Sequence, residues 1–254
     1  MATANLSLDG DLALITGAGQ GNGATLAHGF AKAGAHVLVV DINAESAAQT
    51  ASAINEQGGN AHSFGLDVTD EAACRQLAAE IQDTIGDVSI VVNNAGLLFR
   101  GPFESESTPE KWRKTLDVNV TGMLNVTHAF IGHLKQTAGS VLNIGSICAY
   151  AAGFELSTYC TSKGAVLQFT RALASELAAD GIRVNGLAPG SFPTAMSAVT
   201  REDEHRRQKF LDHVPMGRIG DPNELVGPAL FLSSSLASYI TGAMLPVDGG
   251  YLTR

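Results

Sequence analysis

Ser146, Tyr159 and Lys163 lie within one 18-residue stretch, SICAYAAGFELSTYCTSK. Tyr159 and Lys163 are four apart and open a segment with helical periodicity from about 157 to 179. Residues four apart share a helix face, so the phenol and the ammonium should point the same way. A nearby cation favours phenolate and lowers a tyrosine pKa from its ordinary ~10. A tyrosine tuned in this way can take a proton near neutral pH. The same spacing also occurs in an ordinary amphipathic helix with a solvated lysine, so the pair acquires meaning only from what stands around it.

The rest of the chain must position these groups. Residues 12–16 (LALIT) read as a short buried strand, as do 36–40, 61–66, 88–92, 140–145, 182–187 and 243–247. Helical runs fall between them. They extend from the glycines after Thr16 to Ala33, over 44–57, from a cap at Thr69 or Asp70 to about Ile85, from Thr108 to about His133, over 157–179, and from Asp221 to about Ser234. This alternation predicts an α/β fold: a doubly wound, parallel sheet of about seven strands with helices on both faces. No linker, repeat or shift of composition divides the chain, so residues 1–254 read as one domain. In such sheets ligands bind beyond the carboxyl ends of the strands. Gly17 onward, Asp41, Asp67, Asn93 to Gly96, Ser146 and Pro189-Gly190 all follow strands, and therefore converge on one rim.

Gly17, Gly21 and Gly23, with Gln20 and Asn22 among them, are spaced G-x-x-x-G-x-G between a strand and a helix. Glycines let a backbone approach a pyrophosphate, and a helix N-terminus offers it free N–H groups. A nucleotide is the reading, against an ordinary glycine-rich turn. Asp41 ends the second strand, where a carboxylate can hold an adenosine ribose and repel a 2′-phosphate. Gln20 and Ile42 supply no cation for that phosphate, which favours NAD over NADP. Asp67 and Val68 suit the adenine, although Asp67 is equally a turn residue. Asn94, Ala95 and Gly96 form a turn that could fix backbone beside the cofactor. Asn119 sits in the apolar run DVNVTGMLNV, where asparagine is a poor helix residue and is expected to have another task.

Composition narrows the class. A formal charge of −9 excludes the basic face of a nucleic-acid binder, and 45% hydrophobic residues promise a large core. No stretch approaches the ~20 apolar residues of a membrane span, and the opening MATANLSLDG lacks the basic start of a signal peptide. Cys74, Cys148 and Cys160 are too few for a disulfide framework and fit a reducing compartment, hence the cytoplasm. The seven histidines are scattered with no HExxH, so no catalytic metal is expected.

Taken together, Thr16-Gly17-x-x-x-Gly21-x-Gly23, Asn93-Asn94-Ala95-Gly96, Asn119, Ser146, Tyr159-x-x-x-Lys163, Pro189-Gly190 and Asp248-Gly249-Gly250 resemble the short-chain dehydrogenase/reductase family over nearly the whole chain. The resemblance implies a Rossmann-type fold and a hydride exchange between an alcohol or ketone and the nicotinamide. Tyr159 would be the base in oxidation and the acid in reduction. Lys163 would lower the Tyr159 pKa and hold the nicotinamide ribose. Ser146 would hold the reacting oxygen, and Asn119 a water leading from Lys163 to solvent. Pro189, Gly190 and Thr194 would touch the nicotinamide, with Pro193 beside Thr194 a departure. The chain is similar to the sugar, polyol and sugar-acid dehydrogenases.

Substrate contacts are expected from Ser146, Cys148, Glu155, Tyr159 and Phe192, with Glu155 alternatively a solvent-facing loop acid. Residues 190–215 read as a lid. The charged run from Arg201 to Lys209 is a solvated helix, or else Arg206 or Arg207 meets an anionic substrate. Two rivals stand beside this reading. One is a 3-oxoacyl-type or other carbonyl reductase, disfavoured by Asp41. The other is a catalytically silent nucleotide-binding scaffold, which has no need of an aligned acid/base. The resemblance also implies a homotetramer, and the 157–179 helix is apolar over more than one face. Sedimentation at micromolar concentration should return a tetramer, and a monomer would refute it.

Overall fold

Short aliphatic runs form β1 (Leu12–Thr16), β2 (His36–Asp41), β3 (Asn60–Gly65), β4 (Ile90–Asn93), β5 (Ser140–Ile144), β6 (Arg183–Pro189) and β7 (Met244–Val247). The computed structural model describes residues 6–198 and 203–254. Residues 1–5 of the opening segment and Arg201 and Glu202 of the charged run lie outside the described residues. The seven strands make one parallel sheet in the order β3-β2-β1-β4-β5-β6-β7. The order reverses at β1, where the chain leaves one half of the sheet and starts the other beyond it. A crevice opens at such a reversal.

Side chains on a strand alternate between faces, and each face has its own core. Ala13 and Ile15 join Leu26 and Phe30 of α1 (Gly21–Lys32) and Ile54 of α2 (Ala44–Glu56). Leu12 and Leu14 join Leu77 and Ile81 of α3 (Glu71–Thr84) and residues of the helices that follow β4. Both sets are almost fully buried, as strands covered on two faces require. The Asn43 side chain caps α2 by accepting from Ser46 N, and Asp70, not Thr69, caps α3 by accepting from Ala73 N. The N-terminus of α1 has no side-chain cap.

The helix expected from Thr108 to His133 is instead three: α4 (Thr108–Leu116), α5 (Gly122–Ala129) and α6 (Ile131–Thr137). A single π turn, Asp117–Thr121, separates the first two and carries Asn119. The extra residue in that turn accompanies a side chain bound across to another segment, as described below. The next helix, α7, runs from Ser157 to Leu177. Within 190–215 the described residues form a short turn at Ala195–Ser197 and α8 (Glu204–Leu211). After Asp221 the chain makes a 3₁₀ turn, Pro222–Leu225, and then α9 (Val226–Ser233). Among the described residues, no helix is long and apolar enough to cross a membrane.

Candidate active site

The glycine loop after β1 is held by residues that arrive from other strands. Asn94, just after β4, donates through Nδ2 to Thr16 O (2.9 Å) and Gly17 O (3.0 Å). Thr16 Oγ1 accepts in return from Asn94 N and Ala95 N. Asp41, at the end of β2, accepts from Gly19 N at 2.9 Å and from Asn43 N at 3.0 Å. Two glycines are required by these approaches. Gly17 has φ 62°, and a Cβ on Gly23 would lie 2.1 Å from Gly17 O. The result is a groove of about 310 Å³ at the switch point, lined by Gly17, Gln20, Gly21, Asn22, Gly23, Asp41, Ile42, Asp67, Val68, Asn94, Ala95, Gly96 and Thr194. All of these were expected at a cofactor. Leu66, Leu97, Val118 and Met196 also line it and carried no signal beyond being apolar. Asp67 serves the turn as well, since its Oδ1 accepts from Thr69 N and Oγ1. Pro189 and Gly190 end β6 against β7, where Gly190 N donates to Val247 O, and do not line the groove.

Ser146, Tyr159 and Lys163 come together at the end of β5 and the first turns of α7. They are 7%, 8% and 4% exposed, so water has little hold on any of them. Lys163 Nζ donates to Ile144 O at 2.8 Å and stands 5.6 Å from the centre of the Tyr159 ring. Ser146, whose Oγ accepts from Cys148 N at 3.1 Å, acts on the Tyr159 phenol. Burial dominates the ionisation of the pair. It lowers the Lys163 pKa to about 8 and holds the Tyr159 phenol above its ordinary range, with Cys148 raising it further. Only Ser146 pulls the phenol down. The expectation that Lys163 lowers the Tyr159 pKa is corrected: loss of hydration is the largest influence on the phenol, and it raises the pKa. Burial thus favours the neutral phenol at Tyr159.

Asn119 lies close by but is committed to protein. Its Oδ1 accepts from Leu97 N at 2.8 Å, and its Nδ2 donates to Leu97 O and to Ser162 Oγ, each at 3.0 Å. Ser162 Oγ in turn donates to Tyr159 O at 2.7 Å. Asn119 thus ties the segment after β4 to the helix that carries Tyr159. Beneath it runs a buried ladder: Asn93 Nδ2 to Thr127 Oγ1 and Asn143 Oδ1, and Asn143 Nδ2 to Thr170 Oγ1, each 2.9 Å. Asn143 is fully buried inside an aliphatic strand, and that oddity was its sequence signal.

The expected substrate residues divide. Cys148, two residues after Ser146, has its thiol held well above the usual thiol range chiefly by the neighbouring Cys160, which is itself pulled down. Glu155 is partly buried, 24% exposed, and pairs with Arg206 of α8. Phe192 is largely buried and borders a separate cavity with Ser191, Phe210 and Met216. It is 5% exposed and packs in the core shared with α1, beneath Gly220, because the chain turns inward after β6.

Burial of Lys163 has a measurable cost. Its folded pKa is below the unfolded value of 10.5, so unfolding takes up a proton between about pH 8 and 10.5. Raising pH from 8 towards 10 should therefore stabilise the native chain, and below pH 8 the full cost of about 3 kcal/mol is present. Lys163→Met should raise the denaturation midpoint at pH 7 and abolish the extra gain between pH 8 and 10. A midpoint lowered at pH 7 would contradict this.

A family model described as enoyl-(acyl carrier protein) reductase, within the short-chain dehydrogenases/reductases, matches residues 17–252. The galactitol 2-dehydrogenase (L-tagatose-forming) of Cereibacter sphaeroides is 42% identical over 247 residues, covering 96% of each chain. The 5-keto-D-gluconate 5-reductase of Escherichia coli is 38% identical and covers 97% of each. In three dimensions, the gluconate 5-dehydrogenase of Burkholderia cenocepacia, solved in complex with NADP and tartrate, matches with a TM-score of 0.95 at 36% identity over 98% of both chains. Alike in sequence and in fold along almost its whole length, the chain belongs to the short-chain dehydrogenase/reductase family.

Proposed function

We propose that the chain interconverts a secondary alcohol and a ketone on a sugar, polyol or sugar acid, with NAD as cofactor. The carrying observation is the water-poor meeting of Ser146, Tyr159 and Lys163 beside the groove. The groove fits a dinucleotide. The α1 N-terminus lacks a side-chain cap, the glycines leave room for a close approach, and Asn22 Oδ1 is buried without a partner. Bound there, a nicotinamide supplies the donor or acceptor of hydride. The protein then has three tasks. The Ser146 hydroxyl orients the reacting oxygen. The Tyr159 hydroxyl gives it a proton in reduction and takes one in oxidation. The Lys163 ammonium stands near enough to steady the phenolate that oxidation requires.

Relatives that act on galactitol and ketogluconate support the substrate class. The Burkholderia neighbour holds NADP. For this chain Asp41 favours NAD, because its carboxylate closes the ribose end of the groove and Gln20 and Ile42 offer no opposing cation. The test is oxidation of gluconate, galactitol and simple diols with NAD⁺ and with NADP⁺. Wild type should prefer NAD⁺. Asp41→Asn keeps an acceptor for Gly19 N and removes the charge, and should raise the NADP⁺/NAD⁺ ratio of kcat/KM about tenfold or more, as loss of one close charge repulsion allows. A wild-type preference for NADP⁺ would overturn the role of Asp41.

A further inference from the structure

Between Ser146 and Tyr159 the only charged side chain is Glu155. Its backbone is left-handed, φ 58°, which residues with a Cβ seldom adopt. The segment after β4 holds it there. Gly101 N donates to Glu155 O at 3.1 Å, and Arg100 Nη1 donates to Phe154 O at 3.3 Å. Strain of this kind collects where a side chain must be aimed. The Glu155 carboxylate meets Arg206 of α8, whose Nη1 and Nη2 reach Oε2 at 3.5 and 3.4 Å. Arg206 also lies 3.4 Å from Asp203 on its own helix. Arg100 is the second cation. It is partly buried, which lowers its pKa, and it feels Arg206, Cys148 and Glu155. Glu155 lies two residues before α7, whose first turn carries Tyr159, so this cluster borders the reaction centre.

Arginine forks match carboxylates, and a tight charge-assisted pair closes to about 2.7–2.9 Å. The Glu155 contacts are longer than that, so it occupies the site loosely. We propose that Arg206 and Arg100 bind the carboxylate of a sugar-acid substrate, and that Glu155 holds their place until that substrate displaces it. The chain would then prefer sugar acids to neutral polyols, with α8 closing over the bound acid. This rests on the oxidoreductase reading above.

The test compares D-gluconate with galactitol in wild type, Arg206→Ala, Arg206→Lys and Glu155→Gln. Wild type should favour gluconate. Arg206→Ala should lower the gluconate/galactitol ratio of kcat/KM at least tenfold, Arg206→Lys less so, and Glu155→Gln should raise it severalfold. An unchanged ratio in Arg206→Ala, or a wild type indifferent to gluconate, would overturn the proposal. Calorimetric titration of gluconate into the cofactor-loaded protein separates this from the enzymatic reading. If neither compound is oxidised, the dehydrogenase reading fails. The carboxylate site then stands only if wild type binds gluconate at least tenfold more tightly than Arg206→Ala does.

Discussion

The ammonium of Lys163 is shut away from water with one protein partner at hand, the carbonyl of Ile144. Much of the site's chemistry follows from that constraint. A buried cation is unfavourable by itself, so Lys163 titrates well below an exposed lysine. Low hydration also keeps the neighbouring phenol protonated, and in so dry a place a charge formed on Tyr159 would feel the nearby Lys163 ammonium strongly. The interaction comes from two elements meeting at a fixed angle: β5 ends so that its last carbonyl faces inward, and α7 begins so that positions 159 and 163 share that face.

Fixing that angle is the task of polar groups hidden from water. Asn93, Asn143, Thr127 and Thr170 connect β4, β5, α5 and α7, and Asn119 adds a link from Leu97 to Ser162 under Tyr159. Paired amides of this kind specify one arrangement, because any slip leaves a buried donor or acceptor unmet. The glycine loop is held on the same logic. Asn94 and Asp41 use side chains to satisfy backbone groups of a segment with no regular ladder of its own.

The fold was legible because doubly covered strands must be aliphatic and short, and LALIT, HVLVV and VSIVV are both. The candidate cofactor rim was legible because strand ends converge in such a sheet, and residues 17, 20–23, 41, 67–68 and 94–96 line one groove. What escaped depends on contacts distant in sequence. Nothing in DVNVTGMLNV announces a π turn, since its contact is to Leu97, 22 residues earlier. Arg206 and Glu155 are 51 residues apart and share no periodicity. Phe192, expected at the substrate, is packed mostly in the core and borders a cavity with one edge, which its sequence neighbours do not reveal. The direction of the Tyr159 shift was misjudged because spacing reveals a nearby charge and says nothing of how dry the site is.

The central claim is that the Tyr159 hydroxyl moves the proton while the rest of the site holds the reactants. Tyr159→Phe removes that oxygen and keeps the ring. Steady-state turnover of the best substrate, measured beside NADH binding by fluorescence, decides the matter. The account predicts that turnover falls about 10³-fold, within the usual range for a lost general acid/base, while NADH affinity is nearly unchanged. Turnover close to that of the wild type would contradict it.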